Sequence, residues 1–442
     1  MQFNSIPFLF AFFPLFLILF RLTPGKLTPG LLVLSGLIFY GLATGSWFWA
    51  GFLLVLTYLS WLGQLALGTS RRKLLLPVFL VTLGGILVFF KLYQGGIVLP
   101  AGMSFYIFQI SAWFIDVARQ RIPPKKSFLS FAQGIVLFPK LLSGPLVSPT
   151  ELEKQGDLCR FSWKNLYEGI RLLILGLSMK VLLANRLGGL WSEPGVIGYG
   201  YISTPAAWMA LIAYAMQLYL DFWGYSLMAI GLGRTMGYHL PENFLDPYCS
   251  RSVSEFYRRW HATLGAWFRE YVYFPMGGSR VGAGRTILNL AVVWLFTGLW
   301  HGTGGNYLLW AGFLLLLILA ERFFLKKLLD RSRILSHGYV ILAILLSWIP
   351  FAIGDWNEML TFLGRLFGCG GPAANPRDFI PWVRMYAGLL CAGGFLMTSL
   401  PRKIWNKLKH HAVTDLFLFL LFWLSVYYIA TAAQDPFLYF QY

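Results

Sequence analysis

Two histidines stand out in a chain that offers little other polar chemistry. His261 follows Trp260 and His301 follows Trp300, 40 residues apart on either side of a Gly/Arg-rich turn. Imidazole titrates nearest neutrality and is the natural general base. Passing an acyl group from a thioester to a hydroxyl needs such a base, a donor for the developing oxyanion and exclusion of water. His301 suits the base, while His261, Arg258 and the indole N–H groups of Trp260 and Trp300 suit positioning or polarisation of the acyl carbonyl. The plainer alternative is that a Trp-His pair at a membrane interface anchors a helix, its imidazole bonded to a carbonyl.

Other catalytic signatures are missing. The sequence has no GxSxG, Walker A, GxGxxG, HExxH or CxxC pattern. The His-x4-Asp pattern of soluble acyltransferases fails because His261 is followed by Ala-Thr-Leu-Gly-Ala. No metal site is expected: the only close histidines are His410 and His411, in a basic connector, and Cys159, Cys249, Cys369 and Cys391 lack metal spacing. His239 and His337 lie beside turn-like stretches and read as structural.

Composition says what must position these groups. The 442 residues are 57% hydrophobic and 12% charged, with mean hydropathy +0.62, against about 25% charged in soluble domains. Many apolar stretches approach the ~18 residues that span a bilayer. The ten-residue alternation of a membrane β-barrel is absent. The expected fold class is all-α, a polytopic membrane protein of about a dozen transmembrane, re-entrant and interfacial helices, in one domain over residues 1–442 with a chemical core near 206–320. The net charge of +18 is then the basic signature of cytoplasmic loops and contact with membrane lipids, not of a nucleic-acid partner.

Apolar segments fall near 5–20, 31–44, 47–67, 74–91 and 99–118, with basic loops after the first, third and fifth. That alternation predicts an external N-terminus in the cytoplasmic membrane. The first segment lacks a basic n-region and a cleavage site, and reads as a retained span. Residues 128–149, broken by Pro139, Gly144 and Pro145, predict a re-entrant or surface-lying element. A span near 167–184, an external loop and a long helix over 206–235 follow. Asp221 lies inside that helix, where an unpaired carboxylate costs at least ~2.5 kcal/mol; it is expected to be paired or to line a substrate cavity.

Over 254–274, Phe256, Trp260, Leu264, Trp267 and Tyr271 share one helical face, with Arg258 and Arg269 opposite. The pattern predicts one helix lying in the interface, with His261 at the border of its faces. His301 closes the span 286–301, and further spans are expected near 305–320, 339–354, 381–400 and 412–432.

Several long segments, in order, resemble the membrane-bound O-acyltransferase superfamily. They are DFWGYSLMAIGLG (221–233), PENFLDPY (241–248), SEFYRRWHATLGAWFREYVYFPMGGSR (254–280) and GLWHG (298–302). MSFYIFQISAWFIDVAR (103–119), FPKLLSGPLVSP (138–149) and DPFLYFQY (435–442) extend the similarity to nearly the whole chain. The resemblance is to the bacterial branch of alginate O-acetyltransferases and teichoic acid D-alanyl transferases. PMGGSR is similar to the alginate type, whereas WIPFAIG (348–354) departs from a Phe-Arg pair common in the family.

The resemblance implies helices around a central cavity, with His301 as the catalytic histidine and His261 as the second one. In eukaryotic relatives Asn or Asp usually replaces the latter, which implies a supporting role. The branch implies a short acyl group moving from a cytoplasmic thioester to an extracytoplasmic polysaccharide. The donor would be acetyl-CoA or, alternatively, a phosphopantetheinyl carrier-protein thioester, and the path would commonly include a secreted or anchored acyltransferase partner. Carrier binding would mark D-alanyl transfer. A transporter or a scaffold without chemistry would instead be indifferent to replacement of His301.

Overall fold

The computed structural model describes residues 1–93, 100–155, 160–369 and 375–431. Cys159 and the DPFLYFQY segment lie outside the described residues. The chain is 78% helical, with no strand among the described residues. Among the described residues, seven helices are long and apolar enough to cross a membrane. An apolar environment cannot hydrogen-bond backbone groups, and helices satisfy those groups internally.

The first part of the chain forms α1 (Phe13–Leu22, entered through a π segment, Phe8–Phe12), α2 (Thr28–Thr44), α3 (Trp47–Leu67), α4 (Arg72–Leu92) and α5 (Met103–Ala118). The segment around 128–149 breaks as expected into α6 (Phe128–Val136) and α7 (Phe138–Leu141). It is buried in protein, and the Lys140 ammonium donates to Gln109 Oε1 at 2.5 Å and to the Gly134 carbonyl. α8 (Pro149–Gln155) and α9 (Trp163–Ser178) follow.

A π segment, Met179–Ala184, leads into α10 (Asn185–Ile197), where an external loop was expected. Arg186 and Glu193 give the stretch its loop-like polarity, but its leucines Leu187 and Leu190 recur at helical spacing and are fully buried. α11 (Thr204–Thr235) is the long helix predicted over 206–235.

The predicted interfacial helix is not one helix. It folds as α12 (Val253–Arg259) and α13 (Ala262–Phe268), followed by a π segment, Arg269–Tyr273. The break falls at His261, whose φ of +46° is the left-handed conformation that a continuous helix cannot hold. The periodic pattern survives across the break: Phe256, Trp260, Leu264 and Tyr271 are all buried, against protein.

The remaining elements are α14 (Ala283–His301), α15 (Gly305–Ala320) with a π segment Glu321–Leu325, α16 (Lys326–Leu329), α17 (Arg333–Ala352), α18 (Trp356–Leu366), α19 (Phe379–Leu396), α20 (Leu400–Leu408) and α21 (Ala412–Thr431). His337 lies in the first turns of α17, beside the Asp330–Arg331 turn as expected, and its Nδ1 faces the Ser250 carbonyl at 3.2 Å. α18 was not foreseen; Asp355 caps it by accepting from the N–H groups of Asn357 and Glu358.

The described residues divide into two compact units. One contains residues 1–177, 225–242 and 429–431; the other contains 178–224 and 243–428. In the first, α2 packs on α3 and α6, and α5 packs on α3 and α4. In the second, α15 packs on α14, α17 and α12. The α14–α15 approach is close because Gly298 faces α15: a Cβ there would sit 3.0 Å from Ala311 Cβ and 3.1 Å from the Tyr307 carbonyl.

Candidate active site

The second unit encloses a cavity of about 700 Å³ lined from α11, α12, α13, α14, α15 and α17. Both sequence-predicted histidines and both other residues of the RRW triplet's cavity side, Arg258 and Trp260, are in its wall. Trp300 and Asp221, expected to bind substrate, are not. Asp221 is instead ion-paired with Lys180, Oδ1 to Nζ 2.6 Å, both nearly fully buried. That pairing answers the cost of its carboxylate inside an apolar helix.

His301 is the last residue of α14 and half-buried. Three aromatic rings frame its imidazole: Trp300 at 4.6 Å, Trp310 at 4.9 Å and Phe351 at 5.0 Å between centroids, each set edge-to-face. Trp310, Trp348 and Phe351 are each at most 4% exposed. The cavity wall here is aromatic. Trp300 lies between the two histidines, also 6.2 Å from the His261 ring.

His261 is 5% exposed and sits edge-on to Phe222 at 4.7 Å. Its Nδ1 is 3.0 Å from Asn243 Oδ1. The same oxygen accepts from Thr263 N–H (3.3 Å) and Thr263 Oγ (2.9 Å), so it is the amide oxygen that faces this cluster. The Asn243 carbonyl also accepts from the N–H of Ala262 at 2.9 Å. Asn243 thus staples the turn around His261 through backbone and side chain together.

The chemistry follows from that staple. Nδ1 must carry the proton that Asn243 accepts, which leaves the lone pair on Nε2. Burial disfavours the imidazolium and pushes the His261 pKa down to about 3. At neutral pH His261 is therefore a neutral acceptor at Nε2. A carbonyl-polarising role would need an N–H at Nε2, whereas this arrangement offers a lone pair there.

The far end of the cavity is charged. Glu321, Arg322, Lys326 and Asp330 follow one another there past α15, Arg251, Arg258 and Arg269 line the wall from other elements, and all but Glu321 are exposed. Along α15 and its continuation, Trp310 and Lys326 are 16 residues apart, or about 24 Å at the helical rise. Two π segments, Arg269–Tyr273 and Glu321–Leu325, contribute Arg269, Tyr273, Glu321 and Arg322 to the wall. Among the described residues no three His, Cys, Asp or Glu side chains are grouped to hold a metal ion.

Sequence reasoning missed Asn243, Trp310, Phe351 and Glu321. Trp348 and Phe351 lie beyond the expected core of 206–320. Glu321 carried a legible signal: it is an acid at the end of an apolar span, the same signal that singled out Asp221. Asn243, within PENF, gave none until the turn at His261 was seen.

Residues 62–344 match the profile of MBOAT, the membrane-bound O-acyltransferase family. The match includes Asn243, both histidines and most of the cavity wall. The chain belongs to the membrane-bound O-acyltransferase family. It is a multi-pass membrane O-acyltransferase. Among its relatives is a Pseudomonas fluorescens protein named "Probable alginate O-acetylase AlgI", 32% identical over 83% of this chain and 75% of the relative. The Helicobacter pylori peptidoglycan O-acetyltransferase is 30% identical over 62% of this chain and 58% of its own. The Bacillus subtilis teichoic acid D-alanyltransferase is 28% identical over 43% and 51%. The names of these relatives agree on acyl transfer.

Proposed function

We propose that this O-acyltransferase sits in the cytoplasmic membrane and moves an acetyl group from a cytoplasmic thioester, acetyl-CoA, to a hydroxyl of an extracytoplasmic envelope polysaccharide. The acetyl group reaches the polymer directly or through a secreted or membrane-anchored partner. The observation that carries the reading is the unlike character of the cavity's two ends. A basic, solvent-reached end suits the phosphates of a nucleotide-bearing donor. An aromatic end holding His301, with Trp310 about 24 Å along the helix from Lys326, suits a reactive thioester that must not be hydrolysed.

In this reading His301 takes the proton of the acceptor hydroxyl as its oxygen attacks the thioester carbonyl carbon. The tetrahedral intermediate collapses, the C–S bond breaks, and the departing thiolate recovers the proton from the imidazolium. Acyl thioester and alcohol become ester and thiol. His261, held neutral with its lone pair on Nε2, accepts a hydrogen bond from the substrate and positions it. Arg258, on the cavity wall, attracts the anionic head of the donor. The relatives named as alginate and peptidoglycan acetylating proteins favour acetyl over D-alanyl.

The test uses inside-out membrane vesicles holding the full-length protein, supplied with acetyl-labelled acetyl-CoA. Label should become ester-linked inside the vesicle or on polymer, and vesicles lacking the protein should show none. If only an aminoacyl or acyl carrier-protein thioester supports transfer, the donor is the carrier protein and the acetyl-CoA reading fails.

A further inference from the structure

A buried carboxylate on the cavity wall has no part in the reaction as written. Glu321 is 6% exposed and opens the π segment that follows α15. Such segments shift the register of a helix locally and so re-aim a side chain. Both carboxylate oxygens are directed at the start of α12: one accepts from Val253 N–H, the other from Ser254 N–H at 3.0 Å and Ser254 Oγ at 2.8 Å.

The first turn of α12 is accordingly closed on every side. Ser252 Oγ accepts from Glu255 N–H at 2.9 Å, and Glu255 Oε2 accepts from Arg251 N–H at 2.9 Å, a local variation on the capping box. Glu321 satisfies the remaining donors, Val253 and Ser254, from a different helix. The Ser252–Glu255 cap holds the turn to itself, and Glu321 holds it to the end of α15. α12 is seven residues long and carries Arg258 on the cavity wall, ending directly before Trp260 and His261. α15 carries Trp310 against His301. Tyr257 of α12 reaches the same ring, 6.3 Å between centroids.

We propose that Glu321 is a positioning residue for acyl transfer: its carboxylate fixes the start of α12 to α15 and so sets the placement of Arg258, Trp260 and His261 relative to His301. This rests on the reading of the cavity as the acyl-transfer site. Loosening a short helix at its first turn displaces its far end, and displacements near 1 Å in a reacting site cost about 100-fold in rate.

The test exploits the geometry of the cap. Glu321→Gln keeps one accepting oxygen, enough for Ser254, and orphans the Val253 N–H. Val253→Pro removes that N–H altogether. Val253 is the first residue of α12 and Ser252 before it is extended (φ −150°, ψ 154°), so proline is tolerated there. We expect Glu321→Gln to lower turnover by roughly 10- to 100-fold at matched protein level. Val253→Pro alone removes one of the donors Glu321 holds and should lower turnover too, and the double variant should lose no more than the worse single variant. Losses that multiply in the double variant would mean that Glu321 acts through its charge in the cavity, and no loss in Glu321→Gln would mean that it acts not at all; either overturns the proposal. Hydrogen exchange across residues 252–262 gives a readout independent of activity. Glu321→Gln should speed exchange there and the added Val253→Pro should speed it no further, whereas unchanged exchange in Glu321→Gln overturns the proposal. Wild-type protein that transfers no acyl group would overturn the functional reading, and leave the exchange result to decide the anchoring alone.

Discussion

Asn243 Oδ1 lies 3.0 Å from His261 Nδ1, and that one bond decides which imidazole nitrogen is basic. Asn243→Leu removes the acceptor for His261 and for both Thr263 donors. Turnover should fall by about 100-fold as the imidazole loses its orientation. Asn243→Asp keeps the acceptor and adds a negative charge, which favours the imidazolium and raises the His261 pKa. The acid limb of the pH–rate profile should then move to higher pH, as measured in vesicles from pH 4 upward. An unmoved limb would detach His261 from the reaction.

The buried neutral state of His261 also links pH to stability. Its pKa is about 3 when folded and near the ordinary 6.5 when unfolded, so the unfolded chain binds more protons between those values. Its contribution is therefore fully present above about pH 6.5 and is lost progressively as pH falls toward 3. His261→Asn removes the titration. It also keeps an amide N–H for Asn243 and tolerates the positive φ. Thermal unfolding in detergent should show a shallower acid decline for the variant, and parallel declines would contradict the depressed pKa.

Lys180 and Asp221 are structural partners on this account. Asp221→Leu should cost about 3–5 kcal/mol by leaving the Lys180 ammonium buried alone, while Lys180→Met with Asp221→Leu should restore most of it. Unfolding midpoints of the three variants measure this directly. A fully stable Asp221→Leu with weakened donor binding would return Asp221 to the substrate.

The aromatic frame of His301 depends on a glycine for space, not for backbone freedom. Gly302 has an extended φ of −179°, yet a Cβ there would meet the Tyr307 ring at 2.2 Å. Tyr307 packs on Phe351 (5.6 Å), which packs on His301. Gly302→Ala should therefore lower turnover by about tenfold or more with normal membrane insertion, read as activity per unit of protein.

Much of this was legible in the sequence, for identifiable reasons. Apolar length pointed to the long spans, although the helices at Phe8–Leu22, Thr28–Thr44 and Met103–Ala118 are shorter, and the Trp-His pairs with their flanking motifs pointed to the two histidines that line the cavity. What failed was local. The 3.6-residue pattern through 254–274 is indifferent to a single left-handed residue, so it could not show the break at His261. A helix boundary set by a partner elsewhere in the chain, here Asn243, leaves no periodic trace. Asp221 and Glu321 carry the same signal, an acid within apolar sequence, and only partners brought close by folding separate ion pair from helix anchor.

The central claim is that His301 is the base, and the most direct measurement is O-acetyl content of the envelope polysaccharides in wild-type, deletion and His301→Ala strains at matched protein level. The account predicts that both mutants lose the acetyl groups. Retained acetylation in His301→Ala, with loss in the deletion, would contradict it and make the protein a conduit or scaffold for chemistry performed elsewhere.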